Sequence, residues 1–227
     1  MIAKVLFCLS LIGAMQALPW EPEPRDANWL RTHEGFVNNT KSKRDEINVL
    51  FYGDSITAGW NGAGKPVYDK EYAPLGTANY GIGGDRTEHV LWRIINGEVE
   101  GLHPKVIVLK IGTNNGGDTA DNIVRGITTI VQELRTRLPN SKILLQGILP
   151  RSDTTAWFTK ISDINIKIAH LDDGANINFM DMFNQFSVGW AQVDQSLFNP
   201  DKLHLILAGY QKWADTQRKL FDRLLNA

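Results

Sequence analysis

One cysteine, Cys8, occurs in the 227 residues, and it lies inside an apolar N-terminal stretch. A lone thiol closes no disulfide within the chain, and its place ahead of any predicted element removes cysteine nucleophiles and thiolate metal sites from consideration. An excess of charge is also missing: 24 basic residues face 25 acidic ones, for a formal net charge of −1. Nothing there holds a polyanion, so nucleic acid is not an expected partner. No apolar run reaches the ~20 residues of a membrane-spanning helix. No internal repeat, low-complexity tract or long linker divides the chain. Hydrophobic side chains are plentiful at 43% of residues, enough for one sizeable core in a chain too short for several large domains.

The first residues read as a targeting segment. Lys4 supplies a positive n-region, residues 5–15 are apolar and uncharged, and Ala17 offers a small residue for cleavage. The expectation is a signal peptide over residues 1–17 and a secreted protein, although Met15 stands where a second small residue belongs. The Pro-rich "LPWEPEP" behind it makes an N-terminal arm over residues 18–27 that needs no function, and a single domain follows over residues 28–227. Asn38-Asn39-Thr40 fits the N-glycosylation acceptor pattern, which has meaning only for a secreted chain.

Beyond the arm the hydrophobic period alternates. Helical spacing over residues 28–43, carried by Trp29, Leu30, Phe36 and Val37, precedes a first strand at 47–52. Short aliphatic runs at 106–111, 143–147 and 177–180 show little alternation, as expected of strands buried on both faces, and a weaker strand spans 77–80. Helices are predicted at 87–95, 120–138, 157–171 and 207–225, the last with an apolar stripe of Tyr210, Trp213, Leu220, Leu224 and Leu225. Strand-then-helix repetition argues for an α/β fold, a parallel sheet with helices on both faces. Sites in such sheets form beyond the carboxyl ends of the strands. Three polar loops would converge there: Gly53-Asp54-Ser55, Gly81-Ile82-Gly83-Gly84-Asp85 and Gly112-Thr113-Asn114-Asn115.

Two nucleotide motifs come close and fail. "GWNGAGKP" has the glycine and lysine spacing of a phosphate loop, but Pro66 replaces the hydroxyl residue that would hold magnesium. Gly81-Ile82-Gly83 resembles a dinucleotide fingerprint, yet Arg86 stands at its third glycine position. Near the C-terminus, "NPDKLHLILAGY" sets Asp201 and His204 three residues apart just before the last helix. In a helix-like turn both side chains share one side, so the carboxylate can orient the imidazole as a general base. Taken alone, a turn-capping Asp201 and an ordinary surface His204 fit as well.

Taken together, "GDSI", "GIGGD", "GTNN" and "DKLH", each in its place after or before a predicted element, resemble the ordered blocks of the SGNH (GDSL-type) hydrolases. Two longer stretches, "NYGIGGDRTEHVLWRIINGEVE" and "PKVIVLKIGTNN", look like the catalytic alpha subunits of the intracellular platelet-activating-factor acetylhydrolases. The resemblance covers nearly the whole chain after the leader. It implies a flavodoxin-like three-layer α/β/α sandwich on a five-stranded parallel sheet, with Ser55 as nucleophile, His204 as base and Asp201 as its orienting acid. It also implies an oxyanion hole of the Ser55 and Gly84 amides and the Asn114 side chain, no cofactor or metal, and a homodimer. The chemistry suits the residues: a serine hydroxyl needs a base, and a tetrahedral intermediate needs preorganised donors. A serine at a helix N-terminus can cap it and still serve as nucleophile.

Ile56 follows Ser55 and Leu203 precedes His204, so both side chains are candidates for the acyl pocket, and their bulk would favour acetyl. Asp54 is expected to fix the turn, Asp85 and Arg86 to pair or cap the next helix, and His89 to pack. Trp60, Trp157 and Trp190 fall near the strand ends, where packing is the preferred account and stacking on substrate the alternative. The resulting expectation is a secreted serine esterase acting on acetyl-type esters of a carbohydrate or lipid-derived alcohol through an acyl-enzyme. The competing class is a catalytically weak carbohydrate- or lipid-binding module.

Overall fold

The computed structural model describes residues 17–151 and 154–227. All but the last residue of the expected leader, with Cys8, lies outside the described residues. Aliphatic and aromatic runs form β1 (Val49–Gly53), β2 (Thr77–Gly81), β3 (Val106–Lys110), β4 (Lys142–Gln146) and β5 (Ile177–Met180). They pair in parallel in the order β2-β1-β3-β4-β5, the flavodoxin-like order expected. Successive residues feed opposite cores: Leu50 and Tyr52 pack on one face of the sheet, Val49 and Phe51 on the other. Burial on both faces explains why these strands show no polar alternation in sequence.

The helices among the described residues are α1 (Ala27–Ser42), α2 (Ser55–Ala58), α3 (Lys65–Glu71), α4 (Thr87–Arg93), α5 (Ala120–Arg137), α6 (Thr155–Ala169) and α7 (Leu207–Leu225). Side chains of α1, α4, α5 and α6 join the first core, and those of α2, α3 and α7 join the second. No helix among the described residues is long and apolar enough to cross a membrane. Along α7, Tyr210, Trp213, Gln217, Phe221 and Leu224 recur at helical spacing and are buried. The buried Gln217 is satisfied by Gln146 Nε2 at 2.6 Å, Trp213 Nε1 at 3.2 Å and the Tyr72 hydroxyl at 2.6 Å, tying α7 to the sheet.

The phosphate-loop lookalike has a packing explanation. Trp60 is fully buried against Phe51, Tyr72, Tyr210 and Trp213, so it belongs to the core and not to a substrate rim. Gly59 is glycine because a Cβ there would stand 1.9 Å from the Tyr210 hydroxyl. That hydroxyl in turn donates to the Ile56 carbonyl at 2.8 Å. Helices α2 and α3 span four and seven residues, too few for a 3.6-residue period to register in sequence.

The N-terminal arm is built into the fold. Pro19 is buried, Arg125 sits 3.8 Å over the Trp20 ring, and the Glu23 amide donates to the Glu88 carbonyl at 3.3 Å. In the Asn38 acceptor triplet, Asn38 is exposed on α1 while Thr40 is buried, its hydroxyl donating to the Glu98 carbonyl at 2.6 Å. That threonine is accounted for by packing alone.

Candidate active site

At the carboxyl end of β1 the chain turns sharply into α2. The buried Asp54 carboxylate accepts from the Ile56 amide at 2.9 Å, so Asp54, and not Ser55, is the helix cap. Ser55 is the first helical residue and keeps its hydroxyl for other partners. Beneath the turn, Lys110 Nζ lies 3.6 Å from Asp54 Oδ1, both side chains being enclosed. Burial pushes the Lys110 ammonium down from its usual range, against the opposing pull of Asp54.

The loop before α7 brings a residue 149 positions away to the same place. Lys202 takes a left-handed backbone, φ 56°, and the Asn199 amide donates to the His204 carbonyl at 2.7 Å, which folds Asp201 back on His204. Asp201 Oδ1 accepts from the amides of Leu203 and His204, both at 3.0 Å, and Oδ2 pairs with His204 Nδ1 at 2.7 Å. His204 Nε2 is 2.9 Å from Ser55 Oγ. Partial burial would raise the Asp201 carboxyl, but the hydrogen bonds from the His204 ring and the two amides override it and hold the group at about 2. The acid therefore stays ionised wherever the imidazole is to be oriented.

Two further loops close on this row. Gly83 approaches Ser55 so that a Cβ on Gly83 would lie 4.0 Å from the Ser55 Cβ, and Gly84 follows with φ +77°, a conformation that favours glycine. Asn114 donates from Nδ2 to the Asp85 carbonyl at 2.8 Å. The neighbouring Asn115 stitches the β3 loop to α4, accepting from the Thr87 amide and donating to Glu88, both at 3.0 Å. The amides of Ser55 and Gly84 donate to no other group among the described residues. One acidic oxygen bonded to a ring, one ring nitrogen at a hydroxyl and spare amides nearby can together deprotonate an alcohol and receive a developing oxyanion.

Sequence reasoning singled out Asp85 but not what surrounds it. Its carboxylate, fully enclosed, accepts from Trp29 Nε1 at 2.7 Å and Arg25 Nη1 at 3.1 Å. Arg93 Nε lies 2.9 Å away, an ion pair off the line of a hydrogen bond. Burial raises the Asp85 carboxyl from its usual range, partly offset by Arg93, Trp29 and Arg25. Arg93 also reaches Glu98 at 2.7 Å, which holds Tyr52 and His33. Arg86 pairs instead with Glu88 and Asp118, each at 2.6 Å, and its amide donates to His89 Nδ1 at 3.0 Å. Ile56 is fully buried in the second core, which removes it from the acyl pocket. Leu203 is half-buried beside that core. Next to Asn114, a cleft of about 520 Å³ is lined by Thr113, Arg151, Trp157 and Lys160. Trp190 is 70% exposed, with only an edge against Phe158.

The described residues thus place a Ser–His–Asp row at the carboxyl end of a five-stranded parallel sheet. Residues 51–212 match the model of the GDSL-like lipase/acylhydrolase family, and the chain belongs to that family. It is a carboxylic ester hydrolase. It is 37% identical over 204 residues to platelet-activating factor acetylhydrolase IB subunit alpha2 of Rattus norvegicus, covering 88% of this chain and 86% of the relative. With subunit alpha1 of Homo sapiens it shares 39% over 217 residues, covering 93% and 90%. A GDSL-like lipase from Bacteroides thetaiotaomicron has the same fold, with TM-score 0.69 and 18% identity over 84% of this chain and 98% of that one.

These relatives overturn the expectation of secretion, because the IB alpha subunits are intracellular enzymes. The lysine and the short apolar run behind that expectation lie outside the described residues. The acceptor pattern at Asn38 loses its meaning with it.

Proposed function

We propose that the chain is a single hydrolase domain over residues 28–227 in which Ser55, His204 and Asp201 hydrolyse short, acetyl-type esters of a lipid-derived alcohol through an acyl-enzyme. The observation that carries this reading is the continuous row from Asp201 Oδ2 through His204, 2.7 Å and 2.9 Å, to Ser55 Oγ. His204 Nε2 takes the proton from Ser55 Oγ as that oxygen attacks the ester carbonyl carbon. The negative oxygen of the intermediate is met by the Ser55 and Gly84 amides and by Asn114, whose second N–H is not committed to Asp85. Imidazolium then returns its proton to the departing alcohol, leaving acyl-Ser55. A water molecule repeats the sequence and frees the acid.

Asp201 keeps the imidazole in the tautomer that presents Nε2 as acceptor. Leu203, next to His204, supports a small acyl group. The lipid-derived alcohol follows the acetylhydrolase relatives, and a homodimer follows the same resemblance, to be checked by light scattering. A panel of acetylated phospholipid, acetylated xylan and p-nitrophenyl esters from acetyl to octanoyl tests the reading. Highest kcat/KM on the phospholipid and a steep fall beyond short acyl chains are expected. Preference for xylan would replace the alcohol, and failure of Ser55 to label with a fluorophosphonate would remove the nucleophile.

A further inference from the structure

Both side-chain and turn donors of the proposed oxyanion hole are referenced to one residue, Asp85. Its backbone amide closes the Gly83–Gly84 turn by donating to the Ile82 carbonyl at 3.2 Å. Its carbonyl receives Asn114 Nδ2 at 2.8 Å. A shift of Asp85 therefore displaces the Gly84 amide and Asn114 together. Oxyanion donors work only when their placement is fixed before charge develops, so what holds Asp85 matters to the chemistry.

Much of that hold comes from the N-terminal arm and the start of α1. Arg25 Nη1 donates to the Gly83 carbonyl at 2.7 Å and to Asp85 Oδ1 at 3.1 Å, bridging both sides of Gly84. Arg25 nitrogens also stand 3.3–3.4 Å from where a Gly84 Cβ would be, so the edge of the guanidinium is close against the turn. Trp29 Nε1 adds a bond to the same carboxylate oxygen at 2.7 Å. The arm that carries Arg25 is itself pinned by Pro19, Trp20 and the Glu23 amide across α4 and α5. Asp26 then caps α1 by accepting from the Asn28 amide at 2.9 Å, which sets the direction in which Arg25 leaves the helix. On the opposite side Arg93 completes the enclosure of Asp85.

We infer that residues 18–26 form a strap whose Arg25 is a positioning residue for the oxyanion hole, fixing the Gly83–Asp85 turn without touching substrate. It would give a role to an arm expected to need none, and it rests on the assignment of Gly84 and Asn114 as oxyanion donors. An arginine suits the task because one planar fork can hold a carbonyl and a carboxylate at once. A lysine in its place offers three donors from one flexible point charge and lacks that fixed planar geometry.

The test is steady-state kinetics on a short-chain ester for Arg25→Ala, Arg25→Lys and Trp29→Phe, with Asn114→Ala measured in parallel. Arg25→Ala is expected to lower kcat about 10- to 50-fold with KM changed less than about twofold, since the lost placement acts on the transition state. Arg25→Lys should lie between it and the parent, and added methylguanidinium should restore part of the Arg25→Ala loss. Trp29→Phe, which keeps the ring and removes one donor, should cost about threefold in kcat. The Arg25→Ala/Asn114→Ala pair should lose much less than the product of the single losses. Should Arg25→Ala fail to fold, Arg25→Lys and Trp29→Phe decide on the same readouts. Unchanged kcat, or a loss confined to KM, overturns the strap. If Asn114→Ala keeps its full kcat, the oxyanion assignment fails first, which separates the two ideas.

Discussion

Two histidines in this molecule sit against carboxylates at almost the same distance, and only one turns its other ring nitrogen to a hydroxyl. His204 Nδ1 is 2.7 Å from Asp201, and His33 Nδ1 is 2.8 Å from Glu98. The first pair lies in a surface loop, 39% and 47% exposed; the second is walled in, at 8% and 0%. The difference lies on the far side of each ring. His204 turns Nε2 to the Ser55 hydroxyl, whereas His33 is stacked against Trp29 and edge-on to Trp92, with centroids 6.0 Å and 4.9 Å away. A His–carboxylate pair thus says how a ring is oriented, and only the other nitrogen's neighbour says what for.

The sharpest way to break the comparison is to remove each ring. Ser55→Ala and His204→Ala are each expected to lower kcat by about 10⁶, with the double variant little worse, because triad members act as a unit. His33→Gln should leave kcat within about threefold and show itself in Tm instead. Multiplicative losses at Ser55 and His204 would deny them a shared mechanism.

The carboxylates should divide in the same way. Asp201→Asn is expected to lower kcat by about 10⁴ with little change in Tm, because the imidazole is left in the wrong tautomer. Glu98→Gln instead weakens the buried partner of Arg93, at a cost of about 3 kcal/mol and near 10 °C in Tm, with kcat reduced less than tenfold. Thermal unfolding measured beside kinetics decides both.

A third histidine refines the contrast through pH. Burial, with the nearby Arg25, Arg86 and Arg93 charges, pushes His89 down to about 4 from 6.5. Between those values the unfolded chain binds the proton and the folded one does not, so stability is full above about pH 6.5 and falls as pH drops toward 4. A Tm loss of about 5 °C across that window is expected, on the order of 2 kcal/mol, and His89→Gln should flatten it. Asp201, held at about 2 against an ordinary 3.8, adds its own loss of stability only below about pH 5, at the acid end of that window and beyond it.

The smallest effect expected is in acyl length. Leu203→Ala should raise relative kcat/KM on butyrate over acetate several-fold, at about 1 kcal/mol per accommodated methylene. Ile56→Ala should leave the chain-length profile alone and destabilise the fold, because its side chain is core. An unchanged profile for Leu203→Ala would take that residue out of the acyl pocket as well.

Much of the architecture was legible along the chain. Aliphatic runs such as "VIVLK" announce strands buried on both faces, the stripe on α7 announces its buried side, and the polar loops after β1, β2 and β3 fall where parallel sheets place sites. The order of those blocks determined the family and named Ser55, Asp201 and His204 as candidates. Local signals decide such features because neighbours in sequence create them. Tertiary structure alone decided that Asp54 rather than Ser55 caps α2, that Ile56 and Trp60 turn into the core, and that Glu98 claims His33. It also decided that Arg25 and Trp29 hold Asp85 across 60 and 56 residues of sequence. Contacts closed over such separations leave no periodicity to read: each depends on where the sheet and its helices set two distant side chains down, and burial then makes the pairing obligatory.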